Sequence, residues 1–295
     1  MGARHRADPW PNRSVGTRNV KRGHRVHACR GVVLLFCLAS PLACAADDAP
    51  TAPTPPAASP SADAPVPFSG DIGVYSDYVA RGLSYTSERT SFQGHVEYDW
   101  ARGPYVGAVL DHHTSWAGSE SVEADAYGGI ITHIAEVAID TGMYSWIYPG
   151  HRFPVSQNLY NTVEAYVGIN YKVVGVKAWY ELTDYFGLNG ASARPNYGLP
   201  PNGSSQGSRY IEGNLALPLP RGFTLNLHAG HQWIQRYSRL NYTDALIGAQ
   251  KDLGRGFLLG AARTDTNAEP ALYTDSRGIN LARGKWLVYL KWLFP

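Results

Sequence analysis

Charged side chains in this chain recur on alternate positions of otherwise apolar stretches, and that spacing limits the chemistry they can do. Glu97 and Asp99 stand two apart, as do Glu123 and Asp125, while Lys177 and Glu181 are separated by four. In an extended segment residues two or four apart share one face. Glu164, Glu212, Lys285 and Lys291 hold comparable positions in their own runs, and Asp77 and Arg81 stand four apart near the start. Rows of this kind can line a path for ions or small hydrophilic solutes, as rings of carboxylates or amines do in channels. Two arrangements stay open. In one, the acidic row Glu123/Asp125 faces Glu97/Asp99 and biases the path toward cations. In the other, Lys177, Lys285 and Lys291 face the acids across a constriction, acids on one wall and bases on the other. Asp77 and Arg81 would lie roughly 13 Å apart on an extended strand, too far to pair, so each is expected to meet a neighbour on an adjacent strand.

Catalysis would require a nucleophile, a base and an orienting acid. The best triplet is His113-Thr114-Ser115, with Glu120 or Glu123 nearby. Its His-x-Ser spacing resembles lipid A deacylases, but the surrounding motifs are absent, so the expectation is a protein without a catalytic site. His228 and His231 are three apart on an expected strand and point to opposite faces, a poor metal pair. No phosphate-binding glycine loop or metal-ligand cluster appears, and neither a metal nor another cofactor is expected.

The elements that must position these charges are strands. Trp286, Val288, Leu290, Trp292 and Phe294 alternate with Lys285, Leu287, Tyr289, Lys291 and Leu293, a period of two with one uniformly apolar face. Eight steps of about 3.3 Å, tilted by about 40°, rise roughly 20 Å, close to the ~25 Å apolar band of an outer-membrane barrel. Eleven further alternating runs precede this one, near 70–83, 91–100, 105–113, 122–132, 137–148, 162–172, 174–186, 209–217, 223–235, 242–250 and 257–264. Tight turns are predicted at 101–104, 133–136, 173–175, 218–222 and 251–256. Longer polar loops fall between them, at 84–90, 115–121, 149–160, 187–207 and 265–277, with 236–241 shorter. Loops sorted by length to opposite ends, on an even number of strands, are the pattern of an outer-membrane barrel with both ends in the periplasm. The expected fold is therefore all-β, a transmembrane antiparallel barrel of about 12 strands. A soluble barrel would have to bury the same charges unpaired, at several kcal/mol each.

Export is expected too. A basic segment (Arg18, Lys21, Arg22, Arg25, Arg30) precedes the apolar run 31–38 and the small-residue site Ala43-Cys44-Ala45, the layout of a secretory signal over 1–45. A lipoprotein site at Cys44 fits less well, because Pro41 stands where a leucine-like residue is expected. Residues 46–67 are Pro/Ala-rich without periodicity and read as a disordered leader; 68–295 would form the barrel. All three cysteines lie in the signal, so no disulfide framework is expected. Residues 1–45 hold eight of the 26 Lys/Arg and one of the 24 Asp/Glu, which leaves 18 basic against 23 acidic residues, a net of −5. No nucleic-acid partner is indicated. The expected partners are outer-membrane lipid, small hydrophilic solutes or ions, and the barrel-assembly machinery, engaged through Trp286–Phe294 ahead of an anomalous terminal Pro295.

The stretch FSGDIGVYSDYVARGLSY (68–85) resembles the opening of the TorF-type porins of proteobacteria, with its Ser-Asp-Tyr…Arg-Gly pattern. The resemblance continues through Glu123-x-Asp125-x-Tyr127-Gly128, Tyr148-Pro149-Gly150, Glu164 within VEAYVGINY, and DYF at 184–186. It runs on through 218–223, Asp244, Lys251-Asp252-Leu253 and Thr264-Asp265-Thr266, covering essentially all of 68–294. Ala80, where an aromatic usually precedes the arginine, and the Pro/Ala leader depart from the pattern. The resemblance implies a barrel and a pore. A barrel without an open pore, structural or adhesive, is the alternative: large inward residues such as Tyr75, Tyr144 and Trp179 would fill it, and the 187–207 loop would fold in as a constriction or extend outside.

Overall fold

The computed structural model describes residues 67–114 and 120–294. The expected signal (1–45), nearly all of the expected leader, Ser115 of the His-x-Ser triplet and Pro295 lie outside the described residues. Fourteen strands are present: β1 (Phe68–Tyr75), β2 (Val79–Ala80), β3 (Leu83–Ser84), β4 (Ser91–Asp99), β5 (Pro104–Thr114), β6 (Glu120–Ile134), β7 (Val137–Trp146), β8 (Thr162–Tyr171), β9 (Val174–Glu181), β10 (Arg209–Leu219), β11 (Phe223–Trp233), β12 (Tyr242–Gly254), β13 (Phe257–Thr266) and β14 (Lys285–Phe294). Twelve of them close an antiparallel barrel in which each strand pairs with its neighbour in sequence and β1 pairs with both β4 and β14. The seam runs from Gly70 opposite Phe294 to Tyr75 opposite Tyr289. Closure leaves no unpaired strand edge, the condition for a sheet to sit in lipid.

Alternation on each strand produces an inside and an outside. On β14, Trp286 and Val288 are 70 % and 53 % exposed, while Leu287 and Tyr289 are 1 % and 4 % exposed. Large apolar residues cover the exterior all round, among them Ile72, Val106, Leu110, Ile130, Val167, Val176, Ile211 and Ile247. Aromatics ring both ends of this belt: Phe68, Trp100, Tyr171, Phe223, Phe257 and Trp292 at one, Phe92, Tyr180, Trp233 and Trp286 at the other. A continuous exposed apolar belt of this extent is stable only against hydrocarbon, and the aromatic rings sit where a membrane interface would lie.

The connections sort by length. The turns 100–103, 135–136, 172–173, 220–222 and 255–256 are at the rim where the barrel begins and ends; 76–90, 147–161, 182–208, 234–241 and 267–284 are at the opposite rim, where β5 also passes to β6. The long loops are knit together. Tyr237 donates to the Gly203 carbonyl (2.6 Å), Tyr273 to that of Leu240 (2.6 Å), and Asn158 to that of Gly187 (3.0 Å). The stretch 187–207 folds in: it contains the helix α1 (Gly190–Tyr197), capped by Asn189 and closed by a left-handed Gly198, and it buries Leu188, Ala193 and Leu199.

One expected strand is wrong over half its length. The run 70–83 stays in the wall only to Tyr75. Beyond Ser76, whose N–H reaches the Val288 carbonyl (2.9 Å), the chain turns inward and β2 and β3 form a small hairpin inside the barrel. The expected run 174–186 likewise leaves the wall after Glu181, and Phe186 packs over the mouth against Trp146 and Tyr148, with Tyr185 edge-on to Phe186.

Candidate functional site: the lumen and its hairpin

The inner face is a layered network of charged and aromatic side chains. Nearest the short-turn rim, Lys291 is 2 % exposed and faces Gly73 across the seam. Beside it Asp71 lies 3.6 Å from His95, and His95 meets the hydroxyl of Tyr127, which donates to Glu97 (2.8 Å). Asp99 ends β4 at that rim. One layer up, Lys177 Nζ donates to Asp140 (3.1 Å) and lies 4.2 Å from the Tyr166 ring centre, with Tyr105 donating to the other Asp140 oxygen (2.6 Å). Glu212 accepts from Trp179 Nε1 (2.8 Å) and Asn214 (3.1 Å), and His228 bridges toward Asp244 (2.7 Å). Nearest the long-loop rim, Glu123 accepts from Tyr78 (2.7 Å), Asp125 from Tyr144 (2.7 Å), and Glu181 from Thr162 (2.5 Å).

Glu97, Glu123, Asp125, Glu164, Lys177, Glu181, Glu212, Lys285 and Lys291 thus all point inward, but two of the expected groupings are absent. Glu123 does not face Glu97: its partner in the register is Asp111, and Glu97 lies four positions lower, opposite Gly107 and beside Tyr127. Nor are acids and bases on separate walls. Lys177 is flanked by Asp140 and Glu212, and Lys285 Nζ is 4.0 Å from Asp77 while donating to the Leu281 carbonyl (2.7 Å). Around β9 and β10 charges of opposite sign thus stand next to each other, as low-dielectric surroundings favour, whereas on β5 and β6 the buried acids Asp111, Glu123 and Asp125 stand together.

Asp77 and Arg81 belong to the hairpin, not to the wall. Asp77 Oδ1 accepts from Ser84 (2.7 Å) and Thr86 (2.6 Å), so it staples the hairpin's own legs. Arg81 and Gly82 form its tip, both with positive φ (47° and 76°), as a two-residue hairpin turn of this hand requires. The tip reaches the wall at β12 and β13. A Cβ on Gly82 would stand 2.6 Å from Cβ of Asp244, so only glycine fits both the conformation and the approach. Arg81 spans the lumen to Glu164 on β8 (2.8 Å) and Gln232 on β11 (3.0 Å). Its guanidinium lies 4.4 Å from the ring centre of Tyr210, 5.4 Å from Trp179 and 5.5 Å from Trp146.

Other residues of the lumen are missed by looking for charge. Tyr127, Tyr166, Tyr210 and Tyr289 lie against the wall over Gly107, Gly142, Gly230 and Gly260 of neighbouring strands, where any Cβ would overlap the ring. The available signal is inward glycine opposite inward tyrosine, or two positions from opposite for Gly230 and Tyr210, which aromatic packing over strand glycines accounts for. Gln232, fully buried, carries no charge to mark it, and Asp140 and Asp244 complete the inward set. His231 points outward to Thr243 (2.7 Å), away from His228. Among the described residues no group of three or more His, Cys, Asp or Glu is arranged to hold a metal ion.

A family model described as "Bacterial protein of unknown function (Gcw_chp)" matches residues 59–294. The chain belongs to this family. No curated protein matches it in sequence. Among solved structures it is similar to the KdgM porin in complex with disordered oligogalacturonate (10 % identity, 77 % of this chain and 99 % of that one, TM-score 0.47). It is similar too to the NanC porin (9 %, 77 % and 98 %, 0.45) and to outer membrane phospholipase A from Escherichia coli (10 %, 77 % and 92 %, 0.41). Likeness of this order says nothing about the lumen, where the Gcw_chp chain has its own network.

Proposed function

We propose that the protein is a narrow outer-membrane channel for the passive diffusion of small hydrophilic solutes, closed at rest by the 76–90 hairpin. The observation that carries this reading is the polarity of the lumen. Charged side chains run from Asp71 and Lys291 near one rim to Glu164 and Lys285 near the other, inside an apolar exterior. Desolvating so many charges costs several kcal/mol per ion before pairing offsets it, and apolar filling is often at least as stable. A lumen that is never hydrated has no use for them. The resemblance of its motifs to TorF-type porins supports that finer reading. The signal over 1–45 supports export, the aromatic rings support residence in outer-membrane lipid, and Trp286–Phe294 is the segment we assign to the assembly machinery. No catalytic step and no cofactor are assigned.

The alternative, a structural barrel without an open pore, is favoured by one observation: the hairpin and the inward-folded 182–208 loop fill the mouth. Planar-bilayer recording of refolded 46–295 decides between them. The channel reading expects infrequent small openings. Folded, heat-modifiable barrels that never conduct, even when Arg81 is removed, would leave the structural reading in its place.

A further inference from the structure

The side chains that receive Arg81 form a cage of a particular chemistry. Three aromatic faces surround its guanidinium, Glu164 accepts one of its N–H groups, and Gln232 accepts another. Glu181 stands directly opposite Glu164 in the β8–β9 register, so a second buried carboxylate lies beside the first. Trp146 donates its indole N–H to Glu164 (2.8 Å) and Trp179 to Glu212 (2.8 Å), which fixes the orientation of both rings, Trp179 carrying Lys177 as well at 5.2 Å. Planar, weakly hydrated cations are the ligands such a site selects: a guanidinium gains from several ring faces at once and from a directed carboxylate, whereas a small hydrated metal ion cannot use the rings.

The cage belongs to the wall, on β7, β8, β9, β10 and β11, whereas its occupant belongs to the hairpin. That occupant is held in a conformation unfavourable to it, since Arg81 takes the left-handed φ of the tip without being glycine. We propose that the Trp146/Trp179/Tyr210/Glu164 cage is a binding site for guanidinium-bearing solutes, and that Arg81 occupies it as a tethered internal ligand. A free guanidinium compound makes the same contacts without the strained backbone, and on entering it releases the tip that spans the lumen. The inference deepens the channel reading and rests on it for this consequence, but binding itself is independent of conduction.

The test uses refolded 46–295 with ethylguanidinium chloride as probe and sodium chloride of equal ionic strength as control. Binding is read by calorimetry on barrels whose folding is checked by heat-modifiable migration. R81A is expected to bind ethylguanidinium at least about tenfold more tightly than the wild type, whose own side chain holds the site, and R81A/E164Q is expected to lose that binding. No binding by R81A, or equal binding by R81A and wild type, overturns the proposal. Should R81A not fold, R81M retains most of the stem and takes its place. Should neither fold, refolding yield is the readout: recovery with ethylguanidinium but not sodium supports the cage, and no recovery overturns it. Bilayer recording of the same variants separates the two readings. Binding without conductance removes the channel and keeps the cage, whereas conductance without binding does the reverse.

Discussion

The first and last segments of the barrel lie side by side and part company at one residue. β1 and β14 pair from Gly70 opposite Phe294 to Tyr75 opposite Tyr289, and both alternate. β14 keeps to the wall along its whole length, with Trp286 outward and Lys285 inward. The opening segment carries the same kind of alternation through Tyr78, yet after Ser76 it turns into the lumen. The difference lies in what each outward position would show to lipid. Every outward residue of β14 is large and apolar. Extending β1 outward would have put Ser76 there, followed by Tyr78, Ala80 and Gly82, a row that thins to nothing, while Asp77 and Arg81 find partners only inside. Alternation says that a segment is extended; the content of both faces says whether it belongs in the wall.

Three substitutions probe this contrast, from the largest effect to the smallest. Val288→Arg places a cation on the lipid face of β14 and is expected to cost about 2–4 kcal/mol if that face lies near the bilayer midplane. The measurement is reversible unfolding in lipid vesicles, and a loss below half a kcal/mol would mean that this face does not meet hydrocarbon. Gly82→Ala strains the hairpin tip and crowds Asp244. A destabilisation of about 1–3 kcal/mol is expected from the backbone alone, with freer hydrogen exchange confined to 76–90. Exchange that spreads evenly over β1 and β14 would show that hairpin and wall are one unit.

The third concerns how the hairpin is tied to the rim. Asp275 in the 267–284 loop accepts from Ser87 (2.9 Å), from the N–H groups of Ile279 and Arg277 (2.9 Å each), and from the Arg277 guanidinium (2.9 Å). Burial disfavours its charged form, but these donors prevail and hold its carboxyl below the ordinary 3.8. A depressed folded-state value means that the contribution is present above about pH 3.8 and is lost as pH falls through the lower folded value. Asp275→Asn is therefore expected to lower the melting point slightly near neutrality and to converge with wild type below pH 3.8. Parallel curves down to pH 3 would show that this carboxylate does not tether the hairpin.

Much of the architecture is legible in the residue pattern. The twelve runs, the sorting of short turns and long loops, and the inward set from Glu97 to Lys291 follow from period-two alternation, because side chains on a strand have only two directions. The partners of those residues are not legible. Nothing local connects Lys177 to Asp140 or Arg81 to Glu164, since each pairing depends on closure of the barrel and on the stagger between strands. The hairpin escaped the pattern for a related reason: an inward-turning hairpin and a wall strand are both extended, and their local propensities are alike. The alternating chain by itself determined a lipid-facing belt around a polar interior, since burying charge in hydrocarbon is prohibitive. Only the tertiary structure decided that the interior is filled from within, because that depends on a left-handed turn at Arg81-Gly82 meeting a cage assembled from five separate strands.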